Sequence, residues 1–173
     1  MIALSIRDEN RVKTLFENKE CKVIRIKAGS MEGKSPDFQV VLEDLKFNCE
    51  VKSILSSGDP LNNISNKIHE SVKQFFADRS QLPNVLVLCN HNDNDWINSL
   101  DLKAVLTGNF YSENGGRHKI YGRYSDGRIK EEKFKISLYI WLTRDDKVVY
   151  VFTDKEGKEI MTRLTDLKKF IQL

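Results

Sequence analysis

Asp37, Glu50 and Lys52 are notable for their spacing. Asp37 follows Pro36, and Glu50-Val51-Lys52 comes after twelve intervening residues, Phe38 to Cys49. In a strand successive side chains point to opposite faces, so Glu50 and Lys52 share one face. If residues 36–42 and 47–54 form neighbouring strands, Asp37 joins them, and two carboxylates and an ammonium converge. Two oxygen donors of this kind suit Mg²⁺ or Mn²⁺, hard ions that keep water ligands. The chemistry available to such a trio is hydrolysis at phosphorus. The ion acidifies a water and offsets developing charge, and the lysine holds the attacking water or the phosphoryl oxygens.

The elements around the trio are legible from periodicity. Residues 36–42 alternate, with Phe38, Val40 and Leu42 on one face and Asp37, Gln39 and Val41 on the other. Glu43-Asp44-Leu45-Lys46 reads as a turn. Residues 47–54 put Phe47, Cys49 and Val51 opposite Asn48, Glu50 and Lys52. Gln39 and Asn48 therefore share the polar faces and are candidates to touch phosphate or water, whereas Ser53 falls on the apolar side as a structural residue. Acid-x-Lys recurs elsewhere, for instance at Glu17–Lys19, Asp44–Lys46, Asp101–Lys103 and Glu156–Lys158. What sets the Glu50 copy apart is its place on a half-apolar strand beside Pro36-Asp37.

Upstream, Ile6, Val12, Leu15 and Phe16 have roughly helical spacing, which predicts a helix over 8–18 with Asp8 as N-cap. A strand is expected over 21–27 and a glycine-containing loop over 28–35. Downstream, Ile64, Ile68, Val72, Phe75 and Phe76 mark one face of an amphipathic helix over 62–79. The apolar run 84–90 fits a strand buried on both faces. A helix over 95–106 stopped by Gly108, a hairpin of 134–143 with 148–154, and a last helix over 166–171 complete the expectation. The order is helix, strand, hairpin, helix, buried strand, helix, hairpin. It predicts one α/β domain spanning 1–173, with a central mixed sheet and helices on both sides.

The hydrophobic fraction of 40% and charged fraction of 31% exclude a disordered chain. The longest apolar runs are too short to cross a bilayer. The opening Met-Ile-Ala-Leu-Ser-Ile-Arg has no basic lead or cleavage pattern, so a cytoplasmic location without membrane partners is expected. Cys21, Cys49 and Cys89 lack a close CxxC pair and read as reduced core thiols. A net charge of +3 says nothing by itself about polyanions. Its distribution says more: Arg117, Lys119, Arg123, Arg128, Lys130, Lys133 and Lys135 outnumber Asp126, Glu131 and Glu132 between positions 117 and 135. Arg117, Lys119, Arg123 and Arg128 are the candidates to follow a phosphate backbone. His69 reads as a surface residue, and His118, among basic residues, is placed to touch phosphate. His91, Asp93 and Asp95 read as a polar loop before a helix, without metal-ligand spacing.

Pro36-Asp37 and Glu50-Val51-Lys52 together make the chain resemble the PD-(D/E)xK nuclease superfamily over about residues 5 to 90. The resemblance implies a restriction-endonuclease-like core, a metal-dependent nuclease activity, and Mg²⁺ or Mn²⁺ as cofactor. It also implies roles: Asp37 and Glu50 as metal ligands, the Val51 backbone carbonyl as a third, and Lys52 as the catalytic lysine. Members often carry a further acid on the first helix, for which Glu9 is the choice by position, with Glu17 and Glu20 as rivals. Some carry a glutamine on the helix after the motif, where Gln74 stands. Phe75-Phe76-Ala77-Asp78 follows it, so the glutamine-x-x-x-tyrosine form of one branch is not reproduced. The partner implied is nucleic acid, DNA before RNA by family analogy. A chain with one site that cuts both strands would favour a homodimer, and membership of a larger complex is equally compatible. The alternative is a non-catalytic nucleic-acid-binding or assembly module on the same fold, against which three intact site residues argue.

Overall fold

The computed structural model describes residues 3–26, 35–55, 58–77, 81–92, 97–111, 114, 116–119 and 129–165. Six strands form one mixed sheet in the order β1 (Lys22–Arg25), β2 (Phe38–Leu42), β3 (Leu45–Ile54), β4 (Asn84–Asn90), β7 (Leu138–Leu142), β8 (Val148–Phe152). β2 is antiparallel to both of its neighbours, β1 and β3; β3, β4 and β7 are parallel, and β8 returns antiparallel to β7. A separate two-stranded hairpin pairs β5 (Asn109–Tyr111) with β6 (Arg117–Lys119).

Among the described residues four helices flank the sheet, two to a face. On one face α1 (Leu4–Glu17) and α5 (Lys155–Leu164) bring Val12, Phe16, Ile160 and Leu164 against Phe47, Cys49, Val85, Val87 and Ile140. On the other, α2 (Pro60–Ala77) and α3 (Ser99–Thr107) bring Ile64, Ile68, Val72, Leu102 and Val105 against Leu86, Leu88, Tyr139 and Trp141. β4 is covered on both sides, and Val85 to Cys89 are fully buried. That is why its sequence is a continuous apolar run rather than an alternation. A one-turn helix α4 (Ile129–Glu132) and a 3₁₀ turn over Lys133–Lys135 lead into β7.

Local chemistry sets the boundaries. Pro60 occupies the first turn of α2, where its missing N–H costs nothing, and the Asp59 carboxylate accepts from the N–H groups of Leu61 (2.8 Å) and Asn62 (3.1 Å). Asn98 and Asp101 cap α3 reciprocally, and Gly108 ends it with φ 69°. β2 and β3 join through Glu43-Asp44, with Leu42 paired to Leu45.

Several expectations need correction. α1 begins at Leu4, and Asp8 is not its N-cap; it is a buried residue inside the helix. Phe76 is not on the packed face of α2, being 67% exposed. The strand expected from residue 134 begins at Leu138, because residues 133–135 are a 3₁₀ turn that anchors Lys133. The hairpin β5–β6 and helices α4 and α5 were not foreseen. The loop at 28–34, Asp93 and Asp95, and the expected helix at 166–171 lie outside the described residues. Among the described residues no helix is long and apolar enough to cross a membrane, and the three cysteines are buried and free.

Candidate active site

The β2–β3 register pairs Phe38 with Cys49 and Gln39 with Asn48, so Asp37, one residue before β2, falls beside Glu50. This is the convergence expected from the alternation. Asp37 Oδ2 accepts a hydrogen bond from the Val51 N–H at 2.8 Å. In return the Asp37 backbone N–H supports the Glu50 carboxylate. Lys52 Nζ lies 2.7 Å from Glu50 Oε1. Glu50 is 1% exposed, and its second oxygen, Oε2, is buried without a hydrogen-bond partner. A buried carboxylate oxygen with nothing to bind it is costly unless a proton or a cation joins it.

The electrostatics agree with that geometry. Burial, then the negative charge of Asp37, push the Glu50 carboxyl up to about 8, with the Lys52 ammonium opposing. Asp37 is also raised, by burial first; the Val51 N–H opposes this and the Glu9 charge adds to it. Asp37 raises the proton affinity of Glu50, and Glu9 that of Asp37, so the buried carboxyl groups are matched to added positive charge.

The trio forms the floor of a cleft of about 350 Å³. Glu9 from α1 lines one wall, and Lys67, Glu70 and Gln74 from α2 line the other, with Val51 and Ser53 beside the floor. Glu9 is thus brought to the site, where its carboxylate pairs with Arg25 of β1. Gln74 reaches it too, and its side-chain oxygen is buried with no partner. Gln39 does not line the cleft; it stays across from Asn48, whose amide donates to Asn84 at 3.4 Å. Glu17 and Glu20 are exposed and do not line it either. Arg117 and Lys119 are exposed on β6, whereas Arg123 and Arg128 lie outside the described residues.

Three neighbours were missed from sequence. Lys67 and Glu70, an ion pair at 3.2 Å, stand at helical spacing from Gln74, and the polar face of α2 carried that signal. Arg25 required knowing that β1 lies under α1. The third is a buried cluster behind the floor, on the α1 side of β3. There Asp8 accepts from Ser53 Oγ at 2.5 Å and sits 2.8 Å from His91 Nε2. It ties α1 to the carboxyl ends of β3 and β4, and no local pattern announces it.

Among the described residues no group of three or more His, Cys, Asp or Glu side chains gathers to hold a metal. The donors at the floor are two carboxylates, a set that suits an ion keeping most of its waters. No family model, curated protein or solved structure matches this chain.

Proposed function

We propose that the chain is a divalent-metal-dependent nuclease, with a restriction-endonuclease-like core centred on β2, β3, α2 and β4. The observation that carries this reading is the meeting of Asp37, Glu50 and Lys52 at one cleft floor, where Glu50 Oε2 is buried and unpartnered. A Mg²⁺ or Mn²⁺ ion fits that oxygen and the raised proton affinity of both carboxyl groups. Asp37 Oδ1, Glu50 Oε2 and the Val51 carbonyl would hold it, and when bound it supplies a Lewis acid that acidifies water and offsets charge at phosphorus. Asp37 Oδ2 stays on the Val51 N–H and so fixes the aspartate relative to β3.

Lys52 does the remaining work at the floor. Its ammonium, held by Glu50 Oε1, is oriented to donate to the attacking water or to a non-bridging phosphate oxygen. Water adds to phosphorus, the P–O bond to the leaving group breaks, and no covalent enzyme intermediate forms. Gln74 offers its unpartnered oxygen to the water or the sugar from the α2 wall. Glu9, paired with Arg25, would contribute to the outer water shell of a bound ion. Asp37 faces the same cleft as Gln74, so substrate enters between β2 and α2. DNA is the substrate named first, on the family resemblance, with Arg117, Lys119, Arg123 and Arg128 as backbone contacts outside the cleft.

The test is cleavage of supercoiled plasmid, linear duplex, single-stranded DNA and RNA with Mg²⁺ or Mn²⁺. Wild type is compared with Asp37→Ala and Lys52→Ala, each checked for native melting. Wild type is expected to cut at least one substrate, and both variants to lose at least a hundredfold in rate. Mn²⁺ should raise the melting temperature of wild type but not of Asp37→Ala. No cleavage and no Mn²⁺ shift would leave a non-catalytic nucleic-acid-binding module as the account of this fold.

A further inference from the structure

On the side of α2 away from the cleft, two phenyl rings stand in solvent. Phe76 is 67% exposed and Phe134 is 62% exposed, the two most exposed large apolar side chains among the described residues. Gln74 lines the cleft, and Phe76, two residues on, lies about 200° further round the helix. Lys135 follows Phe134 in the chain, and its ammonium lies 5.8 Å from the centre of the Phe76 ring. Lys73, one turn before Phe76, is also exposed.

The 3₁₀ turn that presents Phe134 is held at Asn84 and at Leu106. The Asn84 side chain donates to the Lys135 carbonyl at 3.0 Å, and the Ser137 N–H to the Asn84 carbonyl at 2.8 Å. Lys133 is buried, donates to the Leu106 carbonyl at 2.7 Å and sets its ammonium 5.3 Å from the Phe134 ring. Phe134 is therefore presented on a fixed frame, which lowers the ordering cost of binding. Of the two acids before the turn, Glu132 is taken up by His69 at 2.7 Å, and Glu131 is exposed.

We infer that Phe76, Phe134, Lys73 and Lys135 form a stacking surface for a single nucleic-acid strand. Exposed aromatic faces interleaved with lysines match what such a strand offers, π-faced bases alternating with phosphates. A duplex hides its base faces and gains only the charge. The exposed cation–π contact of Lys135 is weak, so a base displaces the ammonium from the ring and turns it toward a phosphate. This inference rests on the nucleic-acid reading of the chain but not on catalysis.

The experiment is fluorescence polarisation of labelled oligothymidylate with the full chain in EDTA, where nothing is cut, against unlabelled duplex as competitor. Phe76→Ala and Phe134→Ala are expected to weaken binding by about tenfold each. Phe76→Leu, which keeps apolar bulk without a π-face, should fail to restore it. Lys135→Ala should lower the slope of log affinity against log salt by about 0.7, and Glu131→Gln should tighten binding. Melting temperatures should stay at the wild-type value, as both rings are mostly in solvent. The inference is overturned by variants that bind as wild type does, by duplex competing as well as single strand, or by no binding at all. If wild type cleaves duplex yet binds no oligothymidylate, the nuclease reading survives and this surface does not. If it binds through the two rings and cuts nothing, the reverse holds.

Discussion

At Glu50 the competition between burial and charge has a measurable consequence. Its carboxyl titrates near 8 in the folded chain, against an ordinary value of 4.5. The direction of the shift fixes the sign. Below about 4.5 both states are protonated; between there and 8 the unfolded chain releases a proton that the folded chain keeps, so stability falls as pH rises. Glu50→Gln keeps the shape and cannot ionise. In EDTA, its stability relative to wild type should therefore climb between about pH 5 and 8, by a few kcal/mol at the upper end. Denaturant melts of both proteins across that range decide it, and a constant difference would show that Glu50 does not titrate there. Mn²⁺ should reverse the trend for wild type alone, since the ion takes the place of the proton and its affinity rises with pH. The alternation of residues 36–54 was enough to place Asp37, Glu50 and Lys52 together, because side-chain direction in paired strands follows from parity alone. Asp8 was misread for the opposite reason. A lone acid near a helix start looks like a cap, and only the fold shows that Ser53 and His91, 45 and 83 residues away, are what it binds.

Elements with strong periodicity were legible, and those held by a single close contact were not. The pattern of Ile64, Ile68, Val72 and Phe75 gave α2, and the run at 84–90 gave β4 with its observed ends. Helix α5 was hidden because Lys155-Glu156-Gly157-Lys158-Glu159 is charged and carries a glycine, which together read as a loop. The glycine is there for contact: a Cβ on Gly157 would lie 1.8 Å from the Ser137 carbonyl oxygen, at the start of β7. Gly157→Ala should accordingly destabilise by about 1–3 kcal/mol or more in denaturant melts, despite alanine's better helix propensity. A neutral result would mean that α5 can lift from β7 without cost. The end of α1 predicts the opposite sign. The Cys21 N–H bonds to the Phe16 carbonyl and the Glu20 N–H to that of Glu17, a Schellman closure with Glu20 at φ 62° where glycine is usual. Glu20→Gly should stabilise by about 1 kcal/mol, because a Cβ is strained in that conformation. Loss of stability on that change would argue against this closure of α1.

For the whole molecule, the decisive feature is that β3 belongs to two kinds of sheet. It is antiparallel to β2 and parallel to β4, so it joins a three-stranded antiparallel unit to the parallel centre. Ligands in open α/β sheets gather near the carboxyl ends of strands where the topology changes direction, and Lys52 and Ser53 stand at that end of β3. A cation held by Asp37 and Glu50 would cross-link β2 to β3 at this seam. Its effect on local opening should therefore be uneven. Amide exchange with and without Mg²⁺ should show added protection concentrated in β2 and β3, the Val51 N–H above all, since it is bonded to Asp37 itself. Strands β7 and β8, on the far side of β4, have no ligand at the cleft and should gain only what global stabilisation brings. Uniform protection across all six strands would mean that the ion stabilises the fold without bridging the seam. Protection confined to β7 and β8 would place the ion elsewhere. The seam also explains why Asp37 could be matched from sequence with Glu50 and Lys52 on the neighbouring strand. Register on the antiparallel side follows an apolar face written in local sequence, whereas Lys67 and Glu70 arrive on a helix whose placement depends on the whole core.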